Sequence, residues 1–108
     1  MRLLMLLVLL FPVLSFGSEE DKRLFEEQQV LAEQGDANAQ YNLGVMYYNG
    51  FGVPKDNLLA YMWANIAGAN GYDVEKLREL LTSLMSQDEI AKAQEKTTKY
   101  IKDHPDVY

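Results

Sequence analysis

Apolar residues recur along this chain at helical spacing, segment after segment, and nowhere do apolar and polar residues alternate for long. β-branched residues are sparse as well, so the spacing predicts an all-α fold. A first helix is expected over about Asp21 to Gln34, with Leu24, Leu31 and Ala32 toward the core and Gly35 as its stop. Asp36 is placed to cap a second helix, whose apolar face is Ala39, Leu43, Met46 and Tyr47 and which ends at Asn49-Gly50. Gly50-Phe51-Gly52-Val53-Pro54 reads as a short loop. Asp56 caps a third helix, about Asn57 to Asn70. There Leu58, Leu59, Ala60, Met62, Trp63, Ile66, Ala67 and Ala69 fill roughly 200° of the wheel. So wide a stripe needs packing on two sides, which makes this the central helix.

A fourth segment, about Val74 to Met85, places Val74, Leu77, Leu81 and Leu84 on one side. Ser86-Gln87-Asp88-Glu89 is a capping box opening a last helix to Asp103, with Ile90, Ala93, Thr97, Tyr100 and Ile101 along one face. His104-Pro105 stops it near an end expected to fray. Short connections make successive helices antiparallel neighbours, so the expected architecture is a short α-solenoid of stacked helical hairpins.

The stretch before these helices reads as an address. Met1-Arg2 is a basic start, Leu3 to Leu14 is almost wholly apolar, and Ser15-Phe16-Gly17 offers small residues for cleavage. That run is shorter than the roughly 20 residues of a membrane span. Residues 1–17 are therefore expected to be a cleavable signal peptide, leaving an exported protein, periplasmic or secreted, without an integral membrane segment. The sequence has no Asn-x-Ser/Thr acceptor, which accords with a bacterial origin.

At 108 residues one domain is the natural count. Ten basic against 16 acidic residues leave a formal charge of −6, which disfavours a nucleic-acid partner. There is no cysteine, so disulfides, thiolate metal sites and cysteine nucleophiles are excluded. Packing alone must hold the exported chain together.

The middle of the chain resembles a known repeat. Ala39-Gln40, Leu43-Gly44, Met46-Tyr47, Gly50, Gly52-Val53-Pro54 and Asp56, then Ala60, Trp63, Ala67 and Gly71, are similar to a Sel-1-like repeat. That family is related to the tetratricopeptide repeats and builds helix-loop-helix units into solenoids. The resemblance implies a repeat at residues 36–71. It leaves 18–35 as an N-terminal helix, either a cap or a degenerate repeat, and 72–108 as C-terminal capping helices. Gly44 lies mid-helix, where a glycine costs about 1 kcal/mol against alanine, and is expected to admit a neighbouring helix closely. Gly68 stands where the family usually has alanine, and is expected to weaken the third helix slightly.

Catalytic chemistry has little foothold. His104 is the only histidine and reads as a surface residue. Ser18, Ser83 and Ser86 have no base nearby in sequence, and Ser86 serves as a cap. No metal-ligand spacing and no cofactor motif occurs, so neither metal nor cofactor is expected. Interaction has more to work with. Asn38, Asn42, Val45 and Asn49 follow one another on the outer face of the second helix, flanked by Tyr41 and Tyr48. In related repeats this first helix of a unit lines the partner-facing side. The expectation is a non-catalytic protein–protein interaction module that takes a protein or peptide. A self-assembling structural protein and a small periplasmic hydrolase are the alternatives.

Overall fold

The computed structural model describes residues 18–108; the expected leader, residues 1–17, lies outside the described residues. Five α-helices follow in order: α1 (Glu19–Glu33), α2 (Ala37–Asn49), α3 (Asn57–Ala69), α4 (Glu75–Leu84) and α5 (Gln87–Asp103). A 3₁₀ turn over Pro105–Val107 closes the chain, and no strand occurs among the described residues.

Side-chain caps start four of the five helices. Ser18 Oγ accepts from the Asp21 amide at 3.1 Å, Asp36 Oδ1 from Ala39 at 2.9 Å, and Asp56 Oδ1 from Leu59 at 3.0 Å. At α5 the capping box is complete: the Glu89 amide donates to Ser86 Oγ (3.1 Å) and the Ser86 amide donates to Glu89 Oε1 (2.9 Å). The bond from the Ser86 amide, and then the Ser86 hydroxyl, hold the Glu89 carboxyl below its ordinary value of 4.5. A depressed carboxylate pKa stabilises the fold above the unfolded value, and that contribution disappears as pH falls through the folded one. Ser86→Ala removes the hydroxyl that caps α5 and is expected to cost about 1 kcal/mol. Its deficit against the parent should shrink on acidification below the ordinary carboxylate range, as read by urea unfolding across a pH series. α1 and α3 end alike. Gly35 and Asp36 amides donate to Ala32 and Leu31 carbonyls, and Gly71 and Tyr72 amides donate to Gly68 and Ala67.

α3 lies at the centre, as its wide apolar stripe requires. Ala60, Tyr61, Met62, Trp63, Ala64, Ile66 and Ala67 are all buried. On one side Met62, Trp63 and Ile66 meet Phe25 and Ala32 of α1, Ala39, Leu43 and Met46 of α2, and Val107. On the other, Ala60, Tyr61, Ala64 and Ala67 meet Val74, Leu77, Leu81, Met85 and Ala93. Trp63 is 4% exposed, with the Tyr100 ring edge-on at 5.2 Å. Gly44 does admit close neighbours: a Cβ there would lie 3.1 Å from Leu77 Cδ2 and 3.3 Å from the Ala60 carbonyl oxygen. Gly68 has the same purpose and is not merely a weak point. A methyl at that position would meet Val74 Cγ2 at 3.0 Å and Arg78 Nη2 at 3.2 Å.

Three expectations are corrected. In α1, Ala32 is buried as expected, but Leu24 and Leu31 are 43% and 42% exposed and Phe25 faces the core in their place. The loop after α2 fixes that rotation, because Gly52 abuts α1 so closely that a methyl on it would collide with the Asp21 carbonyl and lie 3.2 Å from Phe25 Cβ. Phe25 thereby meets the Tyr47 ring edge-on at 5.4 Å. In α4, Leu84 is 55% exposed and Met85 is buried. The helix ends at Leu84, and the extended backbone of Met85 turns its side chain inward. Finally, the C-terminal end is docked. Val107 is fully buried, and the buried Gln40 side chain donates from Nε2 to the Ala32 (3.0 Å) and Val107 (2.7 Å) carbonyls. Asn70 Nδ2 donates to Gln40 Oε1 at 2.8 Å and to the same Val107 carbonyl at 2.9 Å. This clasp ties the tail to α1, α2 and the end of α3.

Candidate interaction groove

The α2 register that buries Ala39, Leu43 and Met46 turns the asparagines outward, but the structure divides the expected row. Asn42, Val45 and Asn49 line a groove of about 390 Å³ together with Leu24 and Gln28 of α1, Met46 and Phe51. Asn42 Nδ2 donates to Gln28 Oε1 at 2.9 Å, bridging the two helices. Asn38 is exposed and lies outside it. Tyr41 stacks on Tyr72 with ring centroids 4.6 Å apart, in a separate depression beside Asp73 and Glu75. Tyr48 lies under the Lys55 ammonium, 5.5 Å from its ring centre, and packs toward the second core cluster. Only half of the expected face thus comes together.

Leu24, Gln28 and Phe51 complete the groove and are not evident from the sequence as partners of Asn42. Leu24 is available only because α1 is rotated toward Phe25. Phe51, 38% exposed between two glycines, is the one visible hint: a large aromatic in a loop that a turn by itself does not need.

The remaining motif residues frame the site. The Asp56 amide donates to the Tyr47 carbonyl at 2.9 Å, closing the loop that begins at Gly50. Burial, and then the nearby Asp56 carboxylate, raise the Tyr47 phenol above its ordinary 10.0; burial, with Glu33 and Tyr47 behind it, does the same to Tyr100. Both phenols are neutral at physiological pH. His104 Nδ1 lies 3.1 Å from the Tyr100 carbonyl, and its ring stacks on Tyr100 at 4.1 Å. The serine hydroxyls are engaged with helix backbone: Ser18 and Ser86 as caps, and Ser83 donating to the Leu80 carbonyl at 2.6 Å. Among the described residues no cluster of potential ligands fits a metal ion, and no helix is long and apolar enough to cross a membrane.

Comparison with known proteins adds to this geometry. Residues 37–72 match the family model of the Sel1 repeat. The fold is similar to the crystal structure of a protective antigen from uropathogenic Escherichia coli strains that displays an SLR fold, with a TM-score of 0.74 and 25% identity. The match covers 81% of this chain and 19% of that one, so this chain spans about a fifth of its neighbour's length. No curated protein matches the sequence.

Proposed function

Starting from a chain whose residues 37–72 are a Sel1 repeat within an SLR fold, we propose that it is a non-catalytic, exported protein–protein interaction module. A helical repeat of this kind is suited to holding another protein, and the groove between α1 and α2 supports that reading most directly. Its lining is apolar at Leu24, Val45, Met46 and Phe51 and carries the carboxamides of Gln28, Asn42 and Asn49. An extended partner segment would place an apolar side chain against the apolar part. Its backbone would meet the amide groups that the Asn42–Gln28 bond leaves unspent. None of the lining side chains can exchange a proton near neutral pH, which suits binding and not acid–base chemistry. The export part of the reading rests on the leader-like residues 1–17 and their apolar run.

Affinity capture from the native envelope fraction tests the proposal. Asn42→Ala combined with Leu24→Asp is expected to weaken capture of a specific partner about tenfold or more, with helical circular dichroism unchanged. Tyr48→Ala, outside the groove, should retain the partner. Loss with Tyr48→Ala alone would move the recognition surface to the other side of α2.

A further inference from the structure

A second cleft, away from the groove, lies among the last three helices. Tyr61 and Asn65 of α3, Arg78 of α4, and Gln94, Thr97 and Thr98 of α5 line about 390 Å³. No acidic side chain is among them. Among the described residues Arg78 Nε is buried without a hydrogen-bond partner, and neither ion pair involves Arg78. A guanidinium carries five donors in a fixed fork, and burying any of them unpaired is costly. The fold nevertheless makes room for this one: Arg78 Nη2 sits 3.2 Å from where a methyl on Gly68 would be. The neighbours present neutral groups. Thr97 Oγ1 donates to the Ala93 carbonyl at 2.7 Å and accepts from Asn65 Nδ2 at 3.4 Å, which leaves Asn65 a second N–H to donate, and the Gln94 amide also lines the cleft.

We propose that this cleft is an anion site that takes a single carboxylate of a peptide, held by the Arg78 guanidinium and seated by the amides of Asn65 and Gln94. One planar cation among neutral donors matches one planar monoanion, which a guanidinium engages through two parallel hydrogen bonds. A multiply charged anion fits poorly, because a single arginine would have to hold it against a chain of formal charge −6. An acidic side chain and a free chain terminus present the same carboxylate. The site shares no residue with the groove between α1 and α2, so it stands whether or not that groove binds a partner.

The test follows the Arg78 Nε–Hε signal by ¹H–¹⁵N NMR while three short peptides are titrated into the intact protein. They are acetyl-Ala-Glu-Ala-amide, acetyl-trialanine with a free terminus, and neutral acetyl-trialanine amide. The expected result is a saturable shift of Arg78 Nε–Hε and the Gln94 side-chain amide with the carboxylate peptides and none with the neutral one. The stronger of the two carboxylate peptides identifies the source. Arg78→Lys, which loses the fork, should weaken binding about tenfold or more. Thr98→Glu, which supplies a carboxylate from the cleft wall, should compete to a similar extent, and it decides the matter if Arg78→Lys fails to fold. Equal shifts with the neutral peptide, an unmoved Arg78 signal, or tighter binding of inorganic phosphate than of either carboxylate would overturn the assignment.

Discussion

Replacing Trp63 with alanine is expected to cost about 3–5 kcal/mol. The indole is 4% exposed and joins three parts of the fold at once. It projects from the central helix into the cluster built by Phe25, Leu43 and Val107, and it receives the Tyr100 ring of α5 edge-on. Truncation leaves a cavity that neighbours on separate helices cannot collapse to fill. Domains are stable by only about 5–15 kcal/mol in total, so the variant should be partly unfolded at physiological temperature. Urea unfolding followed by far-ultraviolet circular dichroism measures the loss, and it does not depend on the fluorescence of the deleted residue. Trp63→Phe should recover most of it. A loss below about 1 kcal/mol would mean that α3 is not gripped on the side that faces α1, α2 and the tail.

Gln40→Leu should cost about 2–3 kcal/mol although it preserves volume and adds apolar character. The Gln40 amide makes three hydrogen bonds inside the protein, to Ala32, Val107 and Asn70, and leucine makes none of them. Gln40→Glu should be worse at neutral pH, since a carboxylate there would face the Ala32 and Val107 carbonyl oxygens in place of the donor they now receive. Burial and those oxygens raise its folded pKa above the unfolded value of about 4.3. The penalty is then absent below the unfolded pKa and grows as pH rises toward the folded one. Stability of Gln40→Glu relative to Gln40→Leu should accordingly improve on acidification. Hydrogen exchange at the Val107 amide, which donates to the His104 carbonyl, reports whether the tail detaches. Unchanged stability in Gln40→Leu would show that the clasp contributes nothing.

The number of helices, the caps of α2, α3 and α5 and the loop between α2 and α3 were legible in the sequence. Asp36, Asp56 and Ser86 act on amides three residues away, and Trp63 declares itself by sitting in a stripe too wide for one neighbour. The interaction groove was only half legible. Asn42, Val45 and Asn49 belong to one helix and can be aligned by counting. Leu24 and Phe51 join them through the rotation of α1, which depends on Gly52 meeting Asp21 across the fold. Leu84 and Met85 exchange places for a comparable reason, because where α4 unwinds decides which of them turns inward.

Helical class, helix order and the repeat itself were determined by the sequence, since periodicity, caps and glycine stops operate within a turn or two of the residue that carries them. Tertiary structure alone decided the rotation of the outer helices, the docking of the tail, and the two clefts. Each rests on groups distant along the chain, such as Gln40 and Val107, 67 residues apart, whose meeting no local pattern records.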